Sequence, residues 1–233
     1  MINDKEKNEG KYKVEYLGEK FSRDLQTNKV IILGLYGVGK TTIIFRLMEK
    51  KIDGEYAPTI SADIKSFQVK VNDKIIQIQI WDTCGNDEFA QNTPNLFKNT
   101  SVAILVYAIN NKKSFEDIGK WYNILNNYSD DHIVFLIGNK SDLEKERKVT
   151  IEEGEKSRNN YDNIKMVFET SAKSGENIDK LLENIAISIY EKNEKEEKEL
   201  ENALKDNRSN RTIKSVRLNK ENHKKRRKKE CKC

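Results

Sequence analysis

A chain of 233 residues, 36% hydrophobic and 35% charged, has room for one α/β domain of roughly 100–200 residues with polar flanks, and two comfortable domains are excluded. The net charge of +5 conceals a split: residues 211–233 hold 11 Lys or Arg against 2 Glu, which leaves −4 on the other 210 residues and points the tail, rather than the domain, at a polyanion. Three cysteines, Cys84, Cys231 and Cys233, argue against a disulfide framework, and without a run of roughly 18 apolar residues to span a membrane the chain is expected to be cytosolic.

Residues 1–28 show no sustained apolar period and read as a flexible extension. Lys29-Val30-Ile31-Ile32-Leu33 reads as a strand covered on both faces. It leads into Gly34-Leu35-Tyr36-Gly37-Val38-Gly39-Lys40-Thr41, which fits G-x-x-x-x-G-K-[ST], and then into a helical pattern carrying Ile44, Leu47 and Met48. Strand, loop and helix in that order are what phosphate binding requires. Backbone N–H groups of the loop and of the helix start face the phosphates, Lys40 adds a point charge, and the Thr41 hydroxyl can ligate magnesium.

Ile76, Ile78 and Ile80 alternate with Gln77 and Gln79, the pattern of a half-exposed strand. Asp82 at its end is placed to hold magnesium through water, and Cys84 beside it reads as a small buried hydrophobe. Residues 102–107 and 133–137 are further apolar strands. Between them Phe115, Ile118, Trp121 and Leu125 form a helical stripe after Ser114-x-x-Asp117, read as a capping box, and Thr150-x-x-Glu153 is a second box.

Gly138-Asn139-Lys140-Ser141-Asp142 follows the strand at 133–137, and Glu169-Thr170-Ser171-Ala172-Lys173 follows a fifth, residues 166–168. Both lie at carboxyl ends of strands, where parallel α/β sheets bind ligands. A carboxylate at Asp142 can accept from the ring N–H and the amino group of guanine. Adenine offers neither donor in that arrangement and would leave a buried charge unpaired. Leu181, Leu182, Ile185 and Ile189 pack a last helix, so the domain spans residues 29–190. Residues 191–205 continue as a charged helical extension, and 206–233 read as a flexible basic tail.

Together these segments resemble the Ras superfamily of small GTPases, from about residue 29 to residue 189. The resemblance implies a P-loop NTPase fold: a mostly parallel six-stranded sheet with helices on both faces. It further implies GTP or GDP with Mg2+ as the bound groups and hydrolysis of GTP to GDP and phosphate. On this resemblance, nucleotide binding falls to Gly34, Leu35, Tyr36, Gly37, Val38, Gly39, Lys40, Thr41, Thr42, Tyr56, Thr59, Gly85, Asn139, Lys140, Asp142, Ser171, Ala172 and Lys173. Metal binding falls to Thr41, Thr59 and Asp82, and catalysis to Asn86, Lys40 and Gly85. Tyr56-Ala57-Pro58-Thr59-Ile60 resembles the first switch segment and residues 82–89 the second.

Within the superfamily, Trp81-Asp82-Thr83, Ser171-Ala172-Lys173 and Cys231-Lys232-Cys233 resemble the Rab branch, which prenylates such a cysteine pair. Ser101-Val102-Ala103-Ile104, Ile151-Glu152-Glu153-Gly154-Glu155 and Phe168-Glu169-Thr170-Ser171-Ala172-Lys173 look closest to the Rabs of Golgi traffic. Thr41-Thr42-Ile43 and Pro58-Thr59-Ile60 are similar to Arf proteins, but Ile2 stands where N-myristoylation needs glycine. The implied partners are an exchange factor, a GTPase-activating protein and effectors at the switches, a GDP-dissociation inhibitor, the prenylation machinery and an anionic leaflet. The protein is expected as a monomer without nucleic acid, on the cytoplasmic face of a Golgi or endosomal membrane and cycling with the cytosol. His223-Lys224-Lys225-Arg226-Arg227-Lys228-Lys229 suits that leaflet at about 1 kcal/mol per basic residue. The same run would serve nuclear localisation or nucleic acid equally, and the lipidated cysteines favour the membrane.

Four departures stand out. Asn86 occupies the place of the glutamine that orients attacking water, and a reach short by about 1 Å costs on the order of 10² in a reaction governed by positioning. The Rab resemblance implies activating proteins of the TBC type, which supply both an arginine and a glutamine in trans, so Asn86 need not abolish stimulated turnover. Tyr36 replaces a small loop residue, where its ring could crowd an incoming arginine or cover the γ-phosphate. Ile52 replaces an aromatic neighbour of guanine, which favours faster exchange. Of three aromatic positions met by Rab partners only Trp81 is kept, with Ile64 and Leu96 at the others, and Ser61 replaces a switch glycine. The alternatives to a slow switch are a scaffold that holds GTP without hydrolysing it and, more distantly, a P-loop ATPase.

Overall fold

The computed structural model describes residues 11–48, 59, 62–85 and 94–230, with side chains up to residue 204. The chain divides into two units, Met1–Tyr190 and Glu191–Cys233. The strands are β1 (Val14–Gly18), β2 (Thr27–Leu33), β3 (Asp63–Val71), β4 (Lys74–Asp82), β5 (Thr100–Ala108), β6 (Ile133–Asn139) and β7 (Ile164–Thr170). The helices are α1 (Lys40–Leu47), α2 (Lys112–Glu116), α3 (Ile118–Tyr128), α4 (Ile151–Ser157) and α5 (Ile178–Glu230).

The strands form one sheet of order β1-β3-β4-β2-β5-β6-β7. Pairing is parallel from β4 through β2, β5 and β6 to β7, and antiparallel for β1 with β3 and β3 with β4. Val30, Ile31, Ile32 and Leu33 of β2 have no exposed surface, as the apolar run predicts for a central strand covered on both faces. Val30 and Ile32 pack with Ile43 and Ile44 of α1 and with Leu181 and Ile185 of α5. Ile31 and Leu33 pack with Trp121 and Leu125 of α3. Helices on both faces leave the strand ends as the open places of the sheet, and the loops after β2, β4, β6 and β7 carry the motifs.

The sheet has seven strands where six were expected, and the additional one, β1, lies inside the stretch read as flexible. The reason is an alternation that a helix-oriented reading passes over: Tyr12, Val14 and Tyr16 pack against the core between Lys11, Lys13 and Glu15. The Tyr16 ring lies 5.7 Å from Phe67 and the Tyr12 ring 5.6 Å from Tyr190. Lys13 N–H donates to Asn72 Oδ1 at 3.0 Å and Asn72 N–H to the Lys13 carbonyl at 2.8 Å, which fixes the register of β1 against β3.

The same extension corrects β4. Gln77 was expected on a half-exposed face but is buried, because Ser22 N–H donates to its Oε1 at 2.6 Å and its Nε2 donates to Thr27 Oγ1 at 2.9 Å. A buried amide is tolerable when its polar atoms are paired.

The first capping box is also corrected. Asn111 caps α2 by accepting from Ser114 N–H at 3.2 Å, so Ser114 sits inside that helix with its hydroxyl donating to the Asn111 carbonyl at 2.6 Å. Asp117 starts α3 without a side-chain cap. The box of Thr150 and Glu153 at α4 is present with both of its reciprocal bonds.

Leu181, Leu182, Ile185 and Ile189 of α5 are buried as the stripe predicts. In the second unit the helical backbone runs to Glu230, past the 191–205 stretch read as helical. No Gly or Pro interrupts residues 178–230, so neither helix breaker is present there. The pairs Glu194–Lys198 and Lys195–Glu199, at 3.8 and 3.9 Å and on the helix surface, contribute about 0.3–0.5 kcal/mol each. Among the described residues no helix is long and apolar enough to cross a membrane.

Tyr16→Ala is expected to destabilise the domain by about 2 kcal/mol, since a half-buried ring is lost from the strand that closes the sheet. Urea unfolding measures this, and a midpoint unchanged from wild type would show that β1 adds nothing to stability.

Candidate nucleotide site

The loop at residues 34–41 joins β2 to α1, and Gly39 is the N-cap of that helix at φ +97. A side chain there would be doubly excluded, because a Cβ would run into the Asn139 amide. Lys40 is buried, and its Nζ donates to the carbonyls of Gly34 at 2.9 Å and Leu35 at 3.2 Å. Burial pushes its ammonium down to about 8, with the Asp82 carboxylate opposing the shift. Tyr36 is 60% exposed on the rim of the loop, while Thr42 lies half-buried in the first turn of α1.

At the end of this loop three side chains converge from distant parts of the chain. Thr41 Oγ1 donates to Asp82 Oδ2 at 2.6 Å, Thr59 Oγ1 donates to the same oxygen at 3.2 Å, and the two hydroxyls are 2.9 Å apart. Asp82 Oδ1 is buried without a hydrogen-bond partner. Burial raises the Asp82 carboxyl above its usual range, against the bond from Thr41 and the charge of Lys40. Oxygen donors around a desolvated carboxylate, one of whose oxygens has no partner, fit a hard dication such as Mg2+, whose charge would relieve the desolvation.

Gly85 closes the site from the second expected switch. At φ +72, a Cβ on it would approach Lys40 Nζ at 2.6 Å, Tyr36 N at 2.7 Å and the Gly34 carbonyl at 2.8 Å. Only glycine brings this backbone so close to the loop. Cys84 beside it is half-buried rather than buried.

The other end of the site is built on β6 and β7. Asn139, buried, donates through Nδ2 to the Val38 carbonyl at 2.8 Å, and its Oδ1 accepts from Ala172 N–H at 3.1 Å and Thr170 Oγ1 at 3.3 Å. Lys140 Nζ donates to the Gly37 carbonyl at 2.7 Å. Ser171 Oγ donates to Asp142 Oδ1 at 2.6 Å, which orients an exposed carboxylate. The lysine and the asparagine thus tie the base-side segments to the glycine loop. Lys173 is exposed at the edge of this group.

Tyr56, Asn86, Cys231 and Cys233, with Ile52 and Ser61, lie outside the described residues. All other expected site residues are described, and the loops at 34–41, 82–85, 139–142 and 171–173 come together at one end of the sheet. Two arginines belong to the same framework and were missed. Arg147 makes a two-bond pair with Glu169 at 2.6 and 2.8 Å and holds Glu144 as well, which raises its own pKa through those bonds. Arg46 of α1 reaches the carbonyls of Ala172 and Lys173. Neither carries a local motif, because the partners that tie them to the site, Glu169 for Arg147 and Ala172 and Lys173 for Arg46, are 22 to 127 residues away in sequence.

A strand, a glycine loop, a lysine and a helix start, with hydroxyls gathered on a strand-end aspartate, define a P-loop nucleotide-binding protein. A protein-family model described as Ras family matches residues 29–191, well over half of the chain. The chain belongs to the Ras family: it is a GTP-binding small GTPase of the switch class, and members of that family bind GTP or GDP, typically with Mg2+.

Asn139→Ala is expected to lower stability by about 2–4 kcal/mol, since it leaves the Val38 carbonyl and the Ala172 N–H buried without a partner. Chemical denaturation checks this. A loss under 0.5 kcal/mol would mean that the two ends of the site are joined without it.

Proposed function

We propose that this GTPase is a slow, membrane-anchored switch of the Rab type, acting in vesicle traffic at a Golgi or endosomal membrane. The observation that carries the switch reading is the meeting of Thr59 with Thr41 and Asp82. It joins a residue of the first switch segment to the phosphate loop at a cluster that fits a dication. The Rab reading rests on Trp81-Asp82-Thr83, Ser171-Ala172-Lys173 and Cys231-Lys232-Cys233. The basic run at 223–229 before the cysteines supports the anchor, because one lipid chain alone binds marginally and a second signal is required.

In this mechanism loop N–H groups and Lys40 bind the phosphates, and Thr41, Thr59 and Asp82 would hold magnesium. Held there, the ion would neutralise charge on the phosphates. Asp142, oriented by Ser171, accepts from guanine. The Asn86 side chain orients a water in line with the γ-phosphorus; the new P–O bond forms as the bond to the β-phosphate breaks, leaving GDP and phosphate. Loss of the γ-phosphate then frees Thr59 and Gly85, and with them the effector surface beside Ile64 and Trp81, which are cross-strand neighbours.

Tyr36 favours a second reading. Its exposed position on the loop, with its backbone next to Gly85, is where an activating arginine would enter. A protein that no activator reaches would hold GTP as a scaffold.

Single-turnover GTP hydrolysis with magnesium, beside Asn86→Gln and with and without a TBC-type activator, separates the two readings. A slow switch shows measurable turnover, with the variant faster by roughly 10-fold or more. Bound GTP that survives for many hours in every condition establishes the scaffold, and displacement of GTP by excess ATP would overturn guanine selectivity. For the anchor, replacing Cys231 and Cys233 by Ser is expected to move the protein from the membrane pellet to the supernatant. Persistent pelleting would sink lipidation as its cause.

A further inference from the structure

Arg46 lies on α1, past the residues that begin the phosphate site, and the mechanism above leaves it unused. Its side chain crosses to the loop after β7: Nε donates to the Ala172 carbonyl at 2.9 Å and Nη2 to the Lys173 carbonyl at 2.7 Å. The partners are 126 and 127 residues away. The Ala172 side chain packs in the core, and the other backbone hydrogen bonds of residues 171 and 172 run within the loop or to Asn139 on β6. Gly175 N–H donates to the Ser171 carbonyl, Ser174 N–H to Ser171 Oγ, Ser171 N–H to the Glu176 carbonyl and Ala172 N–H to Asn139. Arg46 adds a hold from the phosphate side, through two N–H groups of a rigid planar fork on two successive carbonyls.

We propose that Arg46 is a positioning residue for guanine recognition, which sets the place of the 171–173 segment relative to the helix that begins at Lys40 and Thr41. This rests on the reading of Asp142 and Ser171–Lys173 as the base end of the site. Arg46 acts here by preorganisation. A loop held before binding pays no ordering entropy when the nucleotide arrives. The fork also makes the base loop and the phosphate helix one body, so the two ends of a single ligand are gripped at a set separation. A lysine at this position would reach one carbonyl as a point charge and leave the other free to move. The reacting atoms are at the far end of the nucleotide, so the chemical step does not depend on the fork.

The test uses the full chain with Arg46→Gln, Arg46→Lys and Asp142→Ala, and reads the release of fluorescent GDP and of its inosine counterpart IDP. Inosine keeps the base carbonyl and lacks the amino group from which Asp142 is to accept a hydrogen bond. Arg46→Gln is expected to release both nucleotides about 10-fold faster, the loss of roughly one charge-assisted bond, with Arg46→Lys intermediate. The preference for GDP over IDP is kept in both Arg46 variants and lost in Asp142→Ala. Single-turnover hydrolysis of bound GTP stays within about twofold of wild type in the Arg46 variants, since a positioning residue on the base side alters release and not the chemical step. Wild-type release rates in folded Arg46→Gln and Arg46→Lys would overturn the proposal while leaving the base site in place. An unchanged GDP preference in Asp142→Ala would overturn the base reading beneath it. Should Arg46→Gln fail to fold, Arg46→Lys decides alone.

Discussion

The side-chain amide of Asn139 spans three segments of chain: it donates to the Val38 carbonyl in the glycine loop and accepts from Thr170 and Ala172 at the end of β7. Because it is buried, each of these bonds is exchanged for desolvated groups rather than for water, and the arrangement holds only while all are made. The absence of a Cβ at Gly39 is what lets the amide in. The loop that would hold phosphates and the segments that would hold the base therefore take their spacing from one polar side chain and from one position that must be glycine.

Charge at the other end is organised by desolvation. Lys40 and Asp82 are both buried, and each resists the other's neutralisation. An ammonium resting on loop carbonyls and a carboxylate with an unpartnered oxygen are an arrangement of unmet demand. Anionic phosphate would meet the first and a dication the second, so the protein's own destabilised charges would become affinity on ligand binding. The two threonine hydroxyls on Asp82 link that relief to Thr59, the contact on which the proposed nucleotide-dependent switch rests.

The N-terminal extension acts on the same sheet from its opposite margin. β1 covers β3 from Gln68 to Val71 and ends at an irregularity near Gly18, so the nine-residue edge of β3 is replaced over part of its length by a short, bulged one, a form that resists unwanted strand pairing. Its tyrosines reach Phe67 and Tyr190, and Tyr16 also donates to the Met48 carbonyl at the end of α1, at 3.5 Å. The extension is thereby built into the core on the α1 and α5 side.

The central strands, the glycine loop, the strand-end aspartate and the guanine-side motifs were legible in the sequence because each is a local pattern. Apolar runs mark strands covered on both faces, and tight backbone approach demands glycine at set spacing. β1 was read as flexible although it carries an alternation from Lys11 to Tyr16, because charged neighbours dilute a short two-residue period and its partner β3 is some 55 residues away. Gln77 could not be placed from its strand alone, since what buries it is the chain at Ser22 and Thr27. Ser114 was misread because a cap is defined by which residue first turns helical, and Asn111 reaches that point sooner. The sequence by itself determined the family and the chemistry that each motif can perform. Only the tertiary structure decided how those motifs are held together, through Asn139, Arg46 and Arg147, because bonds across 22 to 127 residues leave no local spacing to read.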